Sequence, residues 1–147
     1  MLTTIDRLLD NKGRSVRSLP PNATVHDAVH AMVDERIEAL LVLSDDRLVG
    51  ILTERDCARR VTLQGREPKG VRISEVMTSP VVFVRGEHTV GDCLQILADK
   101  GFSHLPVLDG ESVVDVVSMG DLVGSIIREQ GDTISHLEGY VTGSYPG

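Results

Sequence analysis

Two short stretches place a hydroxyl and a carboxylate three residues apart behind an apolar run, GILTERD at 50–56 and DVVSMGD at 115–121. The pairs are Thr53-x-x-Asp56 and Ser118-x-x-Asp121. At the start of a helix this spacing makes a capping box: the hydroxyl accepts from a free amide and the acid reaches back to the cap residue. The same spacing supports a second chemistry. A helix N-terminus presents unpaired N–H groups and the positive end of the dipole, so it attracts phosphate. An aspartate one turn in can accept from both hydroxyls of a ribose, as the acid of dinucleotide-binding folds does. A hydroxyl and a carboxylate there fit a ribose-phosphate, and two copies would give two clefts. The spacing alone leaves both readings open.

Other groups are weaker candidates. His26, His30 and Asp34 recur every four residues on a predicted helix, the spacing that a metal-ligating stripe would need. Val25, Ala28, Val29 and Met32 mark the buried face of that helix, so the stripe is expected in solvent and no metal site is assigned. Arg55, Arg59 and Arg60 are expected on a helix face, with Arg60 solvated. Cys57 and Cys93 fall inside periodic apolar patterns and read as reduced core thiols. No phosphate-binding Walker loop, nucleophile elbow or H-E-x-x-H motif occurs. Without a nucleophile and base in reach of one another, no catalysis is expected.

The elements that must position these residues follow from composition and periodicity. The 147 residues are 41% apolar with a net charge of −7, enough for one core shared by two halves. The acidic balance argues against a nucleic-acid partner, while leaving room for a local basic cluster. No run approaches the ~20 apolar residues of a membrane span. MLTTIDRLLDNKGR is short, mixed and charged, unlike a signal peptide. A cytoplasmic location with no membrane partner is expected.

Residues 16–64 align without a gap on 81–129 at a shift of 65, the distance from 53 to 118. Val25, Ala28, Val29, Met32 and Val33 follow one helical face, and Val90, Cys93, Leu94, Leu97 and Ala98 repeat it. Thr24 and Thr89 are predicted N-caps, each with an acid three residues on, Asp27 or Asp92. ALLVL and HLPVL, then LVGIL and VVDVV, read as buried strands separated by the polar turns SDDR and DGES. A last helix starts near Thr53 or Ser118. With short strands at 16–19 and 81–84, each unit reads β-α-β-β-α. The fold class is α+β, two repeats packed sheet to sheet as a pseudo-two-fold pair. The predicted division is 5–64 for the first repeat with its lead-in, 65–72 for a linker, 73–130 for the second repeat and 131–147 for a tail.

TVHDAVHAM, EALLVL and LVGILTERD, with ISEVMTSPVVFV, TVGDCLQIL, SHLPVL and VVSMGDLV downstream, resemble a tandem pair of CBS (cystathionine-β-synthase) domains, a Bateman module of the stand-alone bacterial type. The resemblance covers about residues 5–130. It implies a regulatory sensor that requires no cofactor and binds an adenosyl ligand, AMP, ADP, ATP, NAD(H) or S-adenosylmethionine, between repeats. The rival reading is a dimerisation or interaction module with vestigial clefts. The resemblance further implies a homodimer, built on helices like those starting at Val25 and Val90, and a regulated partner protein. It assigns Asp56 and Thr53 with Thr78, Pro80, Val81 and Val82 to one cleft, and Asp121, Ser118 and Val116 with Ser15, Val16 and Arg17 to the other. Arg55, Arg59, Ser103 and His104 are assigned to the phosphate end of the Asp121 cleft. The Asp56 cleft receives Gly120, Gly124 and Glu38 instead, so the two clefts are expected to be unequal. The chain departs from the family pattern at Asp115, where the first repeat keeps Gly50, and at Ser103, where a basic residue is common.

Overall fold

Capping chemistry sets the helix starts. The structure, a computed structural model, describes residues 2–13 and 16–130; Ser15 and the predicted tail lie outside them. Helix α1 (Ile5–Lys12) is capped by Thr4 and closed by Gly13 at φ 90, an angle that favours glycine. The first repeat then runs β1 (Ser18–Leu19), α2 (Val25–Glu35), β2 (Ala39–Ser44), β3 (Arg47–Thr53) and α3 (Glu54–Cys57). A π-helical turn, Ala58–Thr62, continues α3. After a 3-10 turn at Pro68–Gly70 comes α4 (Ile73–Val76), and the second repeat follows as β4 (Val84–Arg85), α5 (Val90–Lys100), β5 (His104–Asp109), β6 (Ser112–Ser118) and α6 (Met119–Glu129). The β-α-β-β-α order therefore occurs twice, giving two three-stranded sheets ordered β1-β2-β3 and β4-β5-β6.

In the first sheet β1 runs parallel to β2, with Ser18 opposite Leu41, and β2 pairs antiparallel with β3, with Val42 opposite Gly50. Asp45 and Asp46 take positive φ at the β2–β3 turn, as the tightest hairpin turns require. The first strand of each repeat is only two residues long, shorter than the expected 16–19 and, in the second repeat, displaced beyond 81–84 to 84–85.

Thr24 and Thr89 cap α2 and α5 through complete capping boxes. The accepted backbone bonds, from Thr24 and from Thr89, hold the Asp27 and Asp92 carboxyls below the usual carboxylate range. Their support is full above the ordinary aspartate pKa and fades as pH falls through the lowered values. On α2, Val25, Ala28, Ala31 and Met32 are buried, but Val29 is 37% and Val33 67% exposed. The predicted apolar face is therefore split into a core stripe and an outer edge.

Contacts group the described residues into two compact units, 2–13 with 84–105 and 117–130, and 16–83 with 106–116. Within each unit a lead-in segment closes the helix of the repeat it does not precede. Thr4 bridges Thr89, Val90 N–H donates to Thr3 O at 2.8 Å and Ile5 N–H to His88 O at 2.8 Å. Likewise Arg72 bridges Thr24, Val25 N–H donates to Val71 O at 2.8 Å and Ile73 N–H to Ala23 O at 2.9 Å. Val71, Ile73 and Val76 join Val25, Ala28, Met32, Leu40, Val42 and Leu52 in one core. Val71 of the predicted linker, and Ile73 and Val76 at the start of the predicted second repeat, thus place three side chains inside the core of the first repeat.

Ile73→Ala should lower unfolding free energy by about 2–5 kcal/mol, the usual cost of emptying a fully buried isoleucine site. Lys69→Ala, on the exposed 3-10 turn, should stay within about 0.5 kcal/mol. Urea unfolding of the two variants compares them, and equal stabilities would contradict a core role for α4.

Candidate functional site

Four capping boxes that pair a hydroxyl cap with an aspartate occur among the described residues, but their settings differ. Asp27 and Asp92 are exposed, whereas Asp56 and Asp121 are half-buried. At the first heptad Thr53 N–H donates to Asp56 Oδ2 at 3.0 Å, and Asp56 N–H donates to Thr53 Oγ1 at 3.1 Å. Glu54 N–H donates to Glu38 O at 2.9 Å. That bond ties the helix start to the strand before it. Thr78 adds its hydroxyl, 3.5 Å from Asp56 Oδ1. Thr53, Asp56 and Thr78 are therefore together, as the resemblance implies. Pro80 follows a cis Ser79–Pro80 bond and is exposed, while Val81 and Val82 are half-buried.

Three contacts hold Thr78 there. Its N–H donates to Ile51 O at 2.9 Å and its carbonyl accepts from Ile51 N–H at 3.2 Å. Met77 packs on Gly50 so closely that a Cβ at 50 would stand 2.3 Å from its Sδ. Arg60, expected in solvent, is exposed, and its Nη1 also donates to Val76 O at 2.8 Å and Met77 O at 3.1 Å. The π-helical turn contains Arg60, and such turns often mark functional positions.

The second heptad repeats the cap: Ser118 N–H to Asp121 Oδ2 at 2.8 Å, and Asp121 N–H to Ser118 Oγ at 3.0 Å. Met119 N–H donates to Ser103 O at 2.9 Å, the counterpart of the Glu54–Glu38 bond. Ser103 Oγ and His104 Nδ1 lie 2.8 Å apart, so both predicted residues flank the α6 start. Here a cation replaces the threonine. Lys12 Nζ is 3.2 Å from Asp121 Oδ2. A cleft of about 550 Å³ is lined by Leu8, Asn11, Lys12, Gly120, Asp121 and Arg128. Sequence reasoning missed Lys12 and Arg128. Lys12 was within reach, because the 65-residue shift carried a few residues past its N-terminal limit sets Lys12 against Met77.

The remaining predicted residues belong to the other unit. Val16 and Arg17 are exposed, and Arg17 is occupied by an ion pair with Glu35. Arg55 and Arg59 are exposed on α3 and the π turn. Val116 is half-buried and its N–H donates to Asp115 Oδ1 at 2.6 Å. Asp115 itself is buried on β6, so the family glycine position carries a carboxylate inside the fold.

The His30 ring pairs with Asp34 at 3.0 Å on a face where both side chains are mostly exposed, and no metal-holding cluster occurs among the described residues. Cys57 and Cys93 are free and buried; burial pushes each thiol up to about 11, so neither is a thiolate near neutral pH. No described helix is long and apolar enough to cross a membrane.

A β-α-β-β-α order that occurs twice, with a helix-capping carboxylate at the end of each copy, defines a tandem repeat module. The CBS-domain family model matches residues 13–62 and 73–128, and the chain belongs to that family with two copies of the domain. CBSX3, a mitochondrial CBS domain-containing protein of Arabidopsis thaliana, is 31% identical over 152 residues, spanning 97% of this chain and 74% of that one. The solved structure of a Burkholderia ambifaria protein with CBS domains, provisionally assigned to signal transduction, matches with a TM-score of 0.83 at 39% identity, over 87% of this chain and 96% of the other. A hexameric CBS-CP12 protein of bloom-forming cyanobacteria matches with a TM-score of 0.76 at 28% identity, over 84% of this chain and 67% of that one.

Gly50→Ala should destabilise the fold by about 1–3 kcal/mol through overpacking on Met77. Met77→Ala in the same chain should recover most of that loss relative to Met77→Ala alone. Strict additivity in the double-mutant cycle would show that the Gly50–Met77 contact does not set the local geometry.

Proposed function

We propose that this CBS pair is a regulatory sensor of adenine nucleotides, of the AMP, ADP, ATP or NAD(H) class, without catalysis of its own. The observation that carries the reading is the division of labour within each half-buried carboxylate. The cap takes Oδ2 of Asp56 and of Asp121. Oδ1 of Asp56 lies outside the cap, 3.5 Å from the Thr78 hydroxyl. A ribose diol needs such an acceptor, already oriented, beside the free amides of a helix start. Thr53 and Ser118 hold the geometry, Thr78 completes the Asp56 site, and Ser103 and His104 stand beside the Asp121 site. Arg55 and Arg59 are assigned to the phosphates on family resemblance, with Pro80, Val81, Val82, Ser15, Val16, Arg17 and Val116 as walls.

Occupancy reaches a partner protein by differential affinity for two arrangements of the repeats, since a ligand shifts an equilibrium only by that difference. A homodimer is part of the proposal. Val29 and Val33 line an outer groove with Met32, Glu54, Cys57, Ala58 and Thr62, and Met119, Val123 and Ile127 are exposed along α6. These apolar faces also favour the second reading, an interaction module with vestigial clefts.

Calorimetry separates the readings. AMP should bind more tightly than 2′-deoxy-AMP by about 1–3 kcal/mol, the cost of leaving a charged acceptor unpaired, and NAD should outbind NADP. Asp121→Ala should remove the tight phase, while Asp56→Ala leaves it nearly unchanged, because the cations gather at Asp121. Equal affinities for AMP and its deoxy form would end the diol role, and no binding of any adenosyl ligand would favour the interaction module. Sedimentation should show a dimer at micromolar concentration; a monomer with and without nucleotide would remove the dimer claim.

A further inference from the structure

A local concentration of cations stands against the acidic balance of the whole chain. Helices α1 and α6 enclose two adjoining cavities. One, of about 630 Å³, is lined by Leu2, Thr3, Arg7, Asn11, Ser125, Arg128 and Glu129. The other is the 550 Å³ cleft at Asp121. Asn11 and Arg128 line both, so they stand at the junction. Three cations, Arg7, Lys12 and Arg128, therefore face one groove.

The two carboxylates in the same walls are already engaged. Glu129 accepts from the Thr3 hydroxyl, and Asp121 accepts from Ser118 N–H and pairs with Lys12. The guanidinium groups of Arg7 and Arg128, by contrast, have no acidic partner among the described residues. Their placement has a local cause. Gly120 and Gly124 leave the α6 surface bare, and Arg128 folds back along it, with Nη1 3.4 Å from where a Cβ on Gly124 would stand. Arg7 comes from the opposite wall, one turn before Asn11 on α1.

We infer that the α1–α6 groove is an anion site for a phosphate or phosphate ester, held by Arg7 and Arg128 with the Asn11 amide between them. Two guanidinium forks on opposite walls, without an acidic partner among the described residues, match a dianion with several oxygens better than a monovalent carboxylate, which one fork satisfies. Asn11 supplies a neutral donor at the junction. For a free inorganic anion the site stands apart from the nucleotide reading, since none of its three ligating groups is a ribose contact. Its second source, the phosphate of a nucleotide whose ribose lies on Asp121, rests on that reading and would put Arg7 and Arg128 in the place given to Arg55 and Arg59.

Inorganic pyrophosphate is titrated calorimetrically into the wild type, Arg7→Gln, Arg128→Gln and, as a control on the β2–β3 turn, Arg47→Gln. Each groove substitution should weaken binding at least about tenfold, the scale of a lost charge-assisted hydrogen bond, and Arg47→Gln should bind like the wild type. Thermal melts confirm folding of these exposed-site variants. ATP on the same set, with Asp121→Asn added, assigns the source. Joint loss of ATP affinity in Arg128→Gln and Asp121→Asn places a nucleotide phosphate in the groove. Loss of pyrophosphate alone in Arg128→Gln places a free phosphate there, and this result stands even if no nucleotide binds. The site is overturned if the wild type binds no pyrophosphate, if both groove variants bind it as the wild type does, or if Arg47→Gln loses as much.

Discussion

A carboxylate at the third position of a helix has two oxygens, and the cap requires only one. At Asp56 and Asp121 that single constraint links fold to function. Oδ2 is fixed by the amide of Thr53 or Ser118, at 3.0 and 2.8 Å, which leaves Oδ1 outside the cap. Asp27 and Asp92 make the same bonds in solvent, where they serve only the helix. The chemistry of the four boxes is equal; burial and neighbours separate two half-buried carboxylates, where we place the ligand, from two exposed ones.

Those neighbours come from distant parts of the chain. Arg60, Met77 and the Thr78–Ile51 bridge carry residues 76–78 onto β3, and only then does a hydroxyl stand beside Asp56. In the other unit α1 brings Lys12 to Asp121. One carboxylate therefore meets a neutral donor and the other a cation, so the two sites differ electrostatically although their caps match. Each lead-in also closes the α2 or α5 N-terminus, through Val71 O or Thr3 O. Stability of the repeat and construction of its site thus depend on the same segments.

The parts of this arrangement legible in the sequence are those with short-range rules. Thr24, Thr53, Thr89 and Ser118 announce their helices because cap and acid are three residues apart, and the 65-residue shift gives the repeat. Arg60 reads as solvated, and is exposed, but its hydrogen bonds go to backbone carbonyls sixteen and seventeen residues on, which no periodicity encodes. Ile73 and Val76 hide in a charged stretch because α4 is a single turn, too short to show a face. Val29 and Val33 fit the helical stripe but stay exposed, since a pattern records which residues are apolar and not which neighbour covers them. The two-residue strands Ser18–Leu19 and Val84–Arg85 fall below the length at which alternation carries a signal.

The central claim is that a ribose diol docks on one oxygen of a carboxylate whose other oxygen caps its helix. Amide NMR during AMP titration reads this directly at Thr53 and Ser118, whose N–H groups donate to those carboxylates. Diol binding draws charge from the shared carboxylate, so the Ser118 amide should shift in step with saturation, with Thr53 following if its site fills. Saturation of the protein by AMP with both amides unmoved would contradict the account.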